Sequence, residues 1–340
     1  MAAAKLMEVP LGLIDTLSSG FKVVQRRPWL FLLPVLMDLW LWLGPRWSIQ
    51  PLMDRLLNWW QIQNLPAELA PAALPYREMM QAVGASFNLW WLMDSNPTWL
   101  RAVLPGLAEP ASLGAAPGVV TIQPLALLLW APLLLLLGAA LGSLFMAAVA
   151  SQVAHGRAAS QPTDGKDQPA PERPMGMAFW LRRGLRTFLL AVLLVLIMLA
   201  LLVTTTLALS LLLTPVLLFA PQAGAGVASM ASLLIGWLAV VATMMLYFVL
   251  AAIVSDGVGL RQALWRSFNV VYRNFWATIG LALLVSLILW GFDLIWQRLA
   301  VASPLGVLAA IVGNAVLVTG LTAARLIFYQ ERSAAWLAAS

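Results

Sequence analysis

Residues 125–154, 187–219, 228–254, 277–300 and 305–328 form five long apolar stretches, and a shorter one, 29–44, precedes them. A hydrocarbon core of roughly 30 Å takes about 20 apolar residues of helix, and backbone exposed to lipid must satisfy its own hydrogen bonds. Stretches of this length therefore predict helices that cross a bilayer rather than strands of an open sheet. The expected fold is all-α, a polytopic membrane protein with six transmembrane helices. Composition agrees: 62% of the 340 residues are hydrophobic and 10% are charged, against roughly 25% charged in soluble domains.

Placement of the basic residues predicts the orientation, because Lys and Arg accumulate on cytoplasmic loops. With the N-terminus inside, fifteen of the twenty basic residues fall on the cytoplasmic side, and only Arg46, Arg55, Arg77, Arg101 and Arg298 fall outside. Both termini are thus expected to be cytoplasmic. The first apolar stretch begins after a lead with charges and helical periodicity, and it contains Pro34 and Asp38, so it does not read as a cleaved signal peptide. The expected home is the bacterial cytoplasmic (inner) membrane.

Two basic segments resemble each other. In residues 10–27, Leu13, Leu17, Phe21 and Val24 share one helical face, with Asp15, Ser18, Lys22, Gln25 and Arg26 opposite. In residues 259–275, Leu260, Leu264, Phe268, Val271 and Phe275 face away from Arg261, Arg266, Asn269 and Arg273. A shift of 247 positions places Leu17 on Leu264, Phe21 on Phe268, Val23 on Val270, Val24 on Val271, Arg26 on Arg273 and Trp29 on Trp276. A fainter copy occupies 177–190. Each copy precedes a pair of spans, which predicts three units, each an interfacial amphipathic helix followed by a hairpin.

The expected organisation is an amphipathic helix at 1–28, a first hairpin at 29–154, hairpin units at 177–254 and 255–330, and a tail at 331–340. Residues 155–176, rich in Pro, Gly and charge, read as a flexible cytoplasmic linker. The segment 45–123, inside the first hairpin, reads as an extracytoplasmic cap. Leu52, Leu56, Trp59 and Trp60, then Met79, Met80, Val83, Phe87, Trp90 and Trp91, suggest two short helices there. Eleven of the seventeen tryptophans are expected at or beyond the outer interface, where an apolar ring with a polar N–H anchors well.

Ionisable groups inside hydrocarbon are costly, and each is a site hypothesis by default. Asp38 falls near the middle of its stretch, Asn314 lies at comparable depth in the last span, and Thr204, Thr205 and Thr206 form a polar cluster in the third. Together they could line a pathway for a proton or cation. Equally, they could be packing contacts worth about 0.6 kcal/mol each. Arg26, Arg266 and Arg273 are the expected contacts to anionic lipid. No catalytic or metal-ligating set is expected: the chain has no cysteine and a single histidine, His155, and it lacks the common nucleophile and zinc motifs. No cofactor is implied, and the basic balance next to lipid does not point to nucleic acid.

One further pattern runs from Tyr247 to Leu289. Asp256 and Gly257 end a span and are followed by Ala263, Leu264, Ser267, Phe268, Val271, Asn274 and Phe275. This stretch, with the opening helix, resembles a loose group of uncharacterised six-span bacterial membrane proteins and the membrane domain fused to some glycerophosphodiester phosphodiesterases. The resemblance implies a bundle of hairpins. It brings no reaction, since the phosphodiesterase chemistry belongs to a separate soluble domain absent from these residues. The function expected is that of a membrane scaffold, accessory or lipid-contacting protein without intrinsic catalysis. The partners expected are anionic lipids and a membrane or cytoplasmic protein. The alternative is a small-molecule or ion permease with a polar pathway near Asp38.

Overall fold

The computed structural model describes residues 11–60, 70–94, 98–106, 118–160, 177–219 and 221–339. It is all-helical apart from one pair of three-residue strands. Five helical segments are long and apolar enough to cross a membrane: Pro124–Gly156, Arg182–Thr205, Leu233–Asp256, Phe275–Ala302 and Pro304–Leu337. The shortest has 24 residues, about 36 Å of helix. The chain is therefore an all-α, multi-pass membrane protein. The first apolar stretch forms a shorter rod, Pro28–Leu43, a helical turn leading into α2 (Leu32–Leu43). Pro34 is accommodated because it sits in the first turn, where backbone N–H groups have no partner within the helix.

The chain divides into two compact units, described separately. The first comprises residues 1–26, 146–286 and 320–340, and the second 27–145 and 287–319.

In the first unit, α1 (Leu13–Arg26) buries Thr16, Gly20 and Val24. A Cβ on Gly20 would lie 2.4 Å from the Gly320 carbonyl oxygen and 2.6 Å from the Ala324 nitrogen, so only glycine lets α1 approach α11 (Pro304–Ala339) this closely. The segment α9 (Leu260–Arg273) also has 14 residues and buries Ala263, Ser267, Val270 and Val271. Its ends, and three of its buried positions, are those of α1 shifted by the same 247 residues. The fainter segment at 177–190 is not a separate helix: it opens the uninterrupted α6 (Met177–Phe219).

The next helix breaks between α7 (Pro221–Leu246) and α8 (Val249–Asp256). The Ser267 hydroxyl closes the gap, donating to the Met245 carbonyl at 2.7 Å and accepting from the Phe248 N–H at 3.1 Å. Residues Val249 to Val254 are all buried, and Phe248, just before them, packs its ring on Phe328 and Tyr329. Gly257, at φ +65°, ends α8 in the left-handed conformation that favours glycine.

In the second unit, α3 (Gln50–Trp59) and α4 (Ala70–Ser86) stand where the cap was expected to be helical. The sequence did not disclose that β1 (Arg46–Ser48) pairs in parallel with β2 (Val119–Thr121). Nor did it disclose the tryptophan cluster. Trp47 lies 4.6 Å from Trp90 and 4.9 Å from Trp130, and Trp40 lies 5.4 Å from Trp90, ring centre to centre. These rings pack the cap onto α2 and α5 (Pro124–Ser160). Gly138, the first residue of a GxxxG pair, receives backbone: a Cβ there would lie 2.1 Å from the Met93 carbonyl oxygen. α5 extends to Ser160, so residues 155–160 of the expected linker are helical. The remainder, 161–176, lies outside the described residues.

Candidate functional site

The polar residues flagged by their depth in the membrane fall in two units. Asp38 and Asn314 are both buried and belong to the second unit. Thr204 and Thr205 belong to the first and are exposed on α6. The Thr204 hydroxyl donates to the Ala200 carbonyl of its own helix at 2.8 Å. The side chain of Thr206 lies outside the described residues.

Asp38 and Asn314 converge on one short piece of backbone, residues 101–104, which enters a helical turn at Leu104–Gly106. Asp38 Oδ1 accepts from the Val103 N–H at 2.9 Å and the Leu104 N–H at 3.3 Å. Asn314 donates to the Arg101 carbonyl at 3.1 Å. Two residues outside the sequence-based set complete the arrangement: Asp94 Oδ1 accepts from the Ala102 N–H at 2.5 Å, and Arg101 pairs with Asp293 at 2.8 Å.

Three successive N–H groups are thus held by two carboxylates, as at the start of a helix whose orphan donors need acceptors. Burial pushes the Asp94 carboxyl up to about 6; the Ala102 N–H and then Arg101 oppose the rise, while Asp293 adds to it. The second Asp38 oxygen, Oδ2, is buried. Asn314 lies beside this carboxyl, yet no group among the described residues meets Oδ2 with the geometry of a hydrogen bond.

The first unit holds a different polar hub, around the end of α8. Arg183 donates to the carbonyls of Val254 and Ser255, and Gln330 donates to the Ser255 hydroxyl. Asp256 pairs with Arg266 and accepts from the Tyr329 hydroxyl at 2.6 Å. Arg266, expected to face lipid, is instead held by this carboxylate, because helical periodicity shows a polar face but not its tertiary partner. Arg26 and Arg273 are exposed, as are Lys22 and Arg261. His155 is bonded to the Ser151 carbonyl of its own helix. Among the described residues, no group of three His, Cys, Asp or Glu side chains could hold a metal ion.

Fold and polar contacts together define a class, the all-α multi-pass membrane proteins. Comparison with family models, with curated proteins and with solved structures finds no match to this chain.

Proposed function

We propose that this chain is a scaffold or lipid-contacting accessory protein of the bacterial cytoplasmic membrane, without chemistry of its own. Both termini and the basic helices α1 and α9 would face the cytoplasm. One observation carries the reading. The buried Asp38 and Asn314, the strongest candidates for a pathway, hold backbone at 101–104, while Lys22, Arg26, Arg261 and Arg273 on the two basic helices are exposed. Exposed cations at a headgroup layer attract anionic lipid by about 1 kcal/mol each.

Two sets of facts support the architecture. The matching bounds and buried positions of α1 and α9 favour an internal repeat. Two termini on one side require an even number of crossings, so Pro28–Leu43 serves as the sixth. Its 16 residues measure about 24 Å, short of the roughly 30 Å core, and the flanking Arg27 and Arg46 would reach the interfaces as the bilayer thins.

The test is phosphatidylglycerol co-purification by the full chain. The double variant Arg26→Gln, Arg273→Gln should retain about thirtyfold less on the strength of two lost charges, and unchanged retention refutes the reading. A reporter inserted near Lys166 should be cytoplasmic; an external one overturns the topology.

A permease is the second reading, favoured by the buried Asp38 Oδ2 that lacks a hydrogen bond among the described residues. It requires proton or cation flux in proteoliposomes that a folded Asp38→Asn variant loses.

A further inference from the structure

α9 carries two unlike apolar faces. One is the buried row at Ala263, Ser267, Val270 and Val271. The other is exposed and aromatic: Trp265 stacks on Phe268 and Phe268 on Tyr272, with ring centres 6.1 and 5.8 Å apart and planes 18° and 8° apart. Beside the first two rings lies a groove of about 1080 Å³, bounded by the end of α7 at Met245 and Leu246 and by α9 at Leu260, Leu264, Trp265 and Phe268. Arg261 is the one charged residue lining it, and it forms no ion pair among the described residues. α9 contains no acidic residue, and the charge of its neighbour Arg266 is met by Asp256.

The walls and the charge select the occupant between them. A water-soluble anion would satisfy Arg261 but leave the apolar walls wet. A zwitterionic lipid would fill the walls, but its own ammonium would offset the phosphate that it offers to the guanidinium. The groove adjoins the apolar span Leu233–Asp256, so its surroundings supply amphiphiles.

We propose that the groove between the end of α7 and α9 binds one anionic membrane phospholipid, its phosphate on Arg261 and an acyl chain along Leu264, Trp265 and Phe268. This rests on the lipid-contacting reading above and narrows it to a single site.

The experiment counts phospholipid molecules retained by the full-length protein, released from mild detergent in native mass spectrometry after loading with phosphatidylglycerol or phosphatidylcholine. Arg261→Gln removes the phosphate contact. Gly259→Leu fills the groove without strain, because Gly259 has φ −74° and a Cβ there meets nothing within 4 Å.

Each variant should lower occupancy of one phosphatidylglycerol site by about fivefold, and Arg261→Gln should lower phosphatidylcholine retention less, because the choline cation offsets its phosphate. Wild-type occupancy in both variants overturns the proposal. So does displacement of the lipid by inorganic phosphate alone, which would make this a phosphate site. If Arg26→Gln, Arg273→Gln retains lipid normally while Arg261→Gln loses its one molecule, the broad reading fails and the site stands; the converse sinks the site alone.

Discussion

The hub around Val254–Asp256 and the clamp around Arg101–Leu104 solve opposite versions of one problem. At the hub, a helix ends and its carbonyls lack partners, and a cation, Arg183, supplies the donors. At the clamp, a helical turn begins and the N–H groups leading into it lack partners, and the carboxyl oxygens of Asp38 and Asp94 supply the acceptors. Each sign matches the partial charge of the backbone it meets. Charged residues buried in a membrane protein need not mark a route for ions: here they complete the hydrogen bonding of broken backbone, which lipid cannot do.

Five substitutions probe this contrast, from the largest expected effect to the smallest, with Asp38→Asn set beside Asp38→Leu as its control. Asp38→Leu should strand the Val103 and Leu104 amides, at about 1–3 kcal/mol each, and a thermal melt in detergent should show a markedly less stable protein. Asp38→Asn keeps an acceptor and should melt within about 1 kcal/mol of the parent; an equal loss in both would show that the charge, not the acceptor, matters.

At the hub, Arg183→Met should cost about 2 kcal/mol by leaving two carbonyls with fewer donors. Asp256→Asn should cost about 1 kcal/mol, since Tyr329 can still donate to the amide oxygen while the ion pair with Arg266 weakens. If Asp256→Asn proves the more damaging, the hub is organised by the ion pair rather than by the exposed carbonyls.

The smallest effect concerns acidity. The Asp94 carboxyl is raised from 3.8 to about 6, so its contribution to stability is fully present below about pH 4 and is lost as pH rises through about 6. Asp94→Asn, which keeps an oxygen for the Ala102 N–H, should flatten that part of the melting-temperature profile. An unchanged slope would remove Asp94 as its source.

The five long spans, both basic helices and the helical character of the cap were legible because each rests on local periodicity or on a run of apolar residues. Asp38 and Asn314 stood out for the same local reason, as polar residues in oily stretches. Their shared target did not. Residues 101–104 carry no motif, and what brings them to Asp38 is a tertiary arrangement spanning 65 positions. Asp94 was missed because it lies among prolines without periodicity. Arg266 was misplaced because a helical wheel ranks faces without knowing what packs on them. The three-residue β1–β2 pair falls below any pattern of alternation, being made of strands some 70 residues apart in the chain.

The close approach of Gly20 to Gly320 and Ala324, with the Leu11 N–H bonded to Glu331 and Arg332 bonded to the Leu11 carbonyl, has a consequence for biosynthesis. α1 docks on α11, some 300 residues later in the chain. At about 5–20 residues per second, it waits roughly 15–60 s with its glycine notch empty. Chains truncated before α11 should therefore keep α1 open to protease, and completion of α11 should close it.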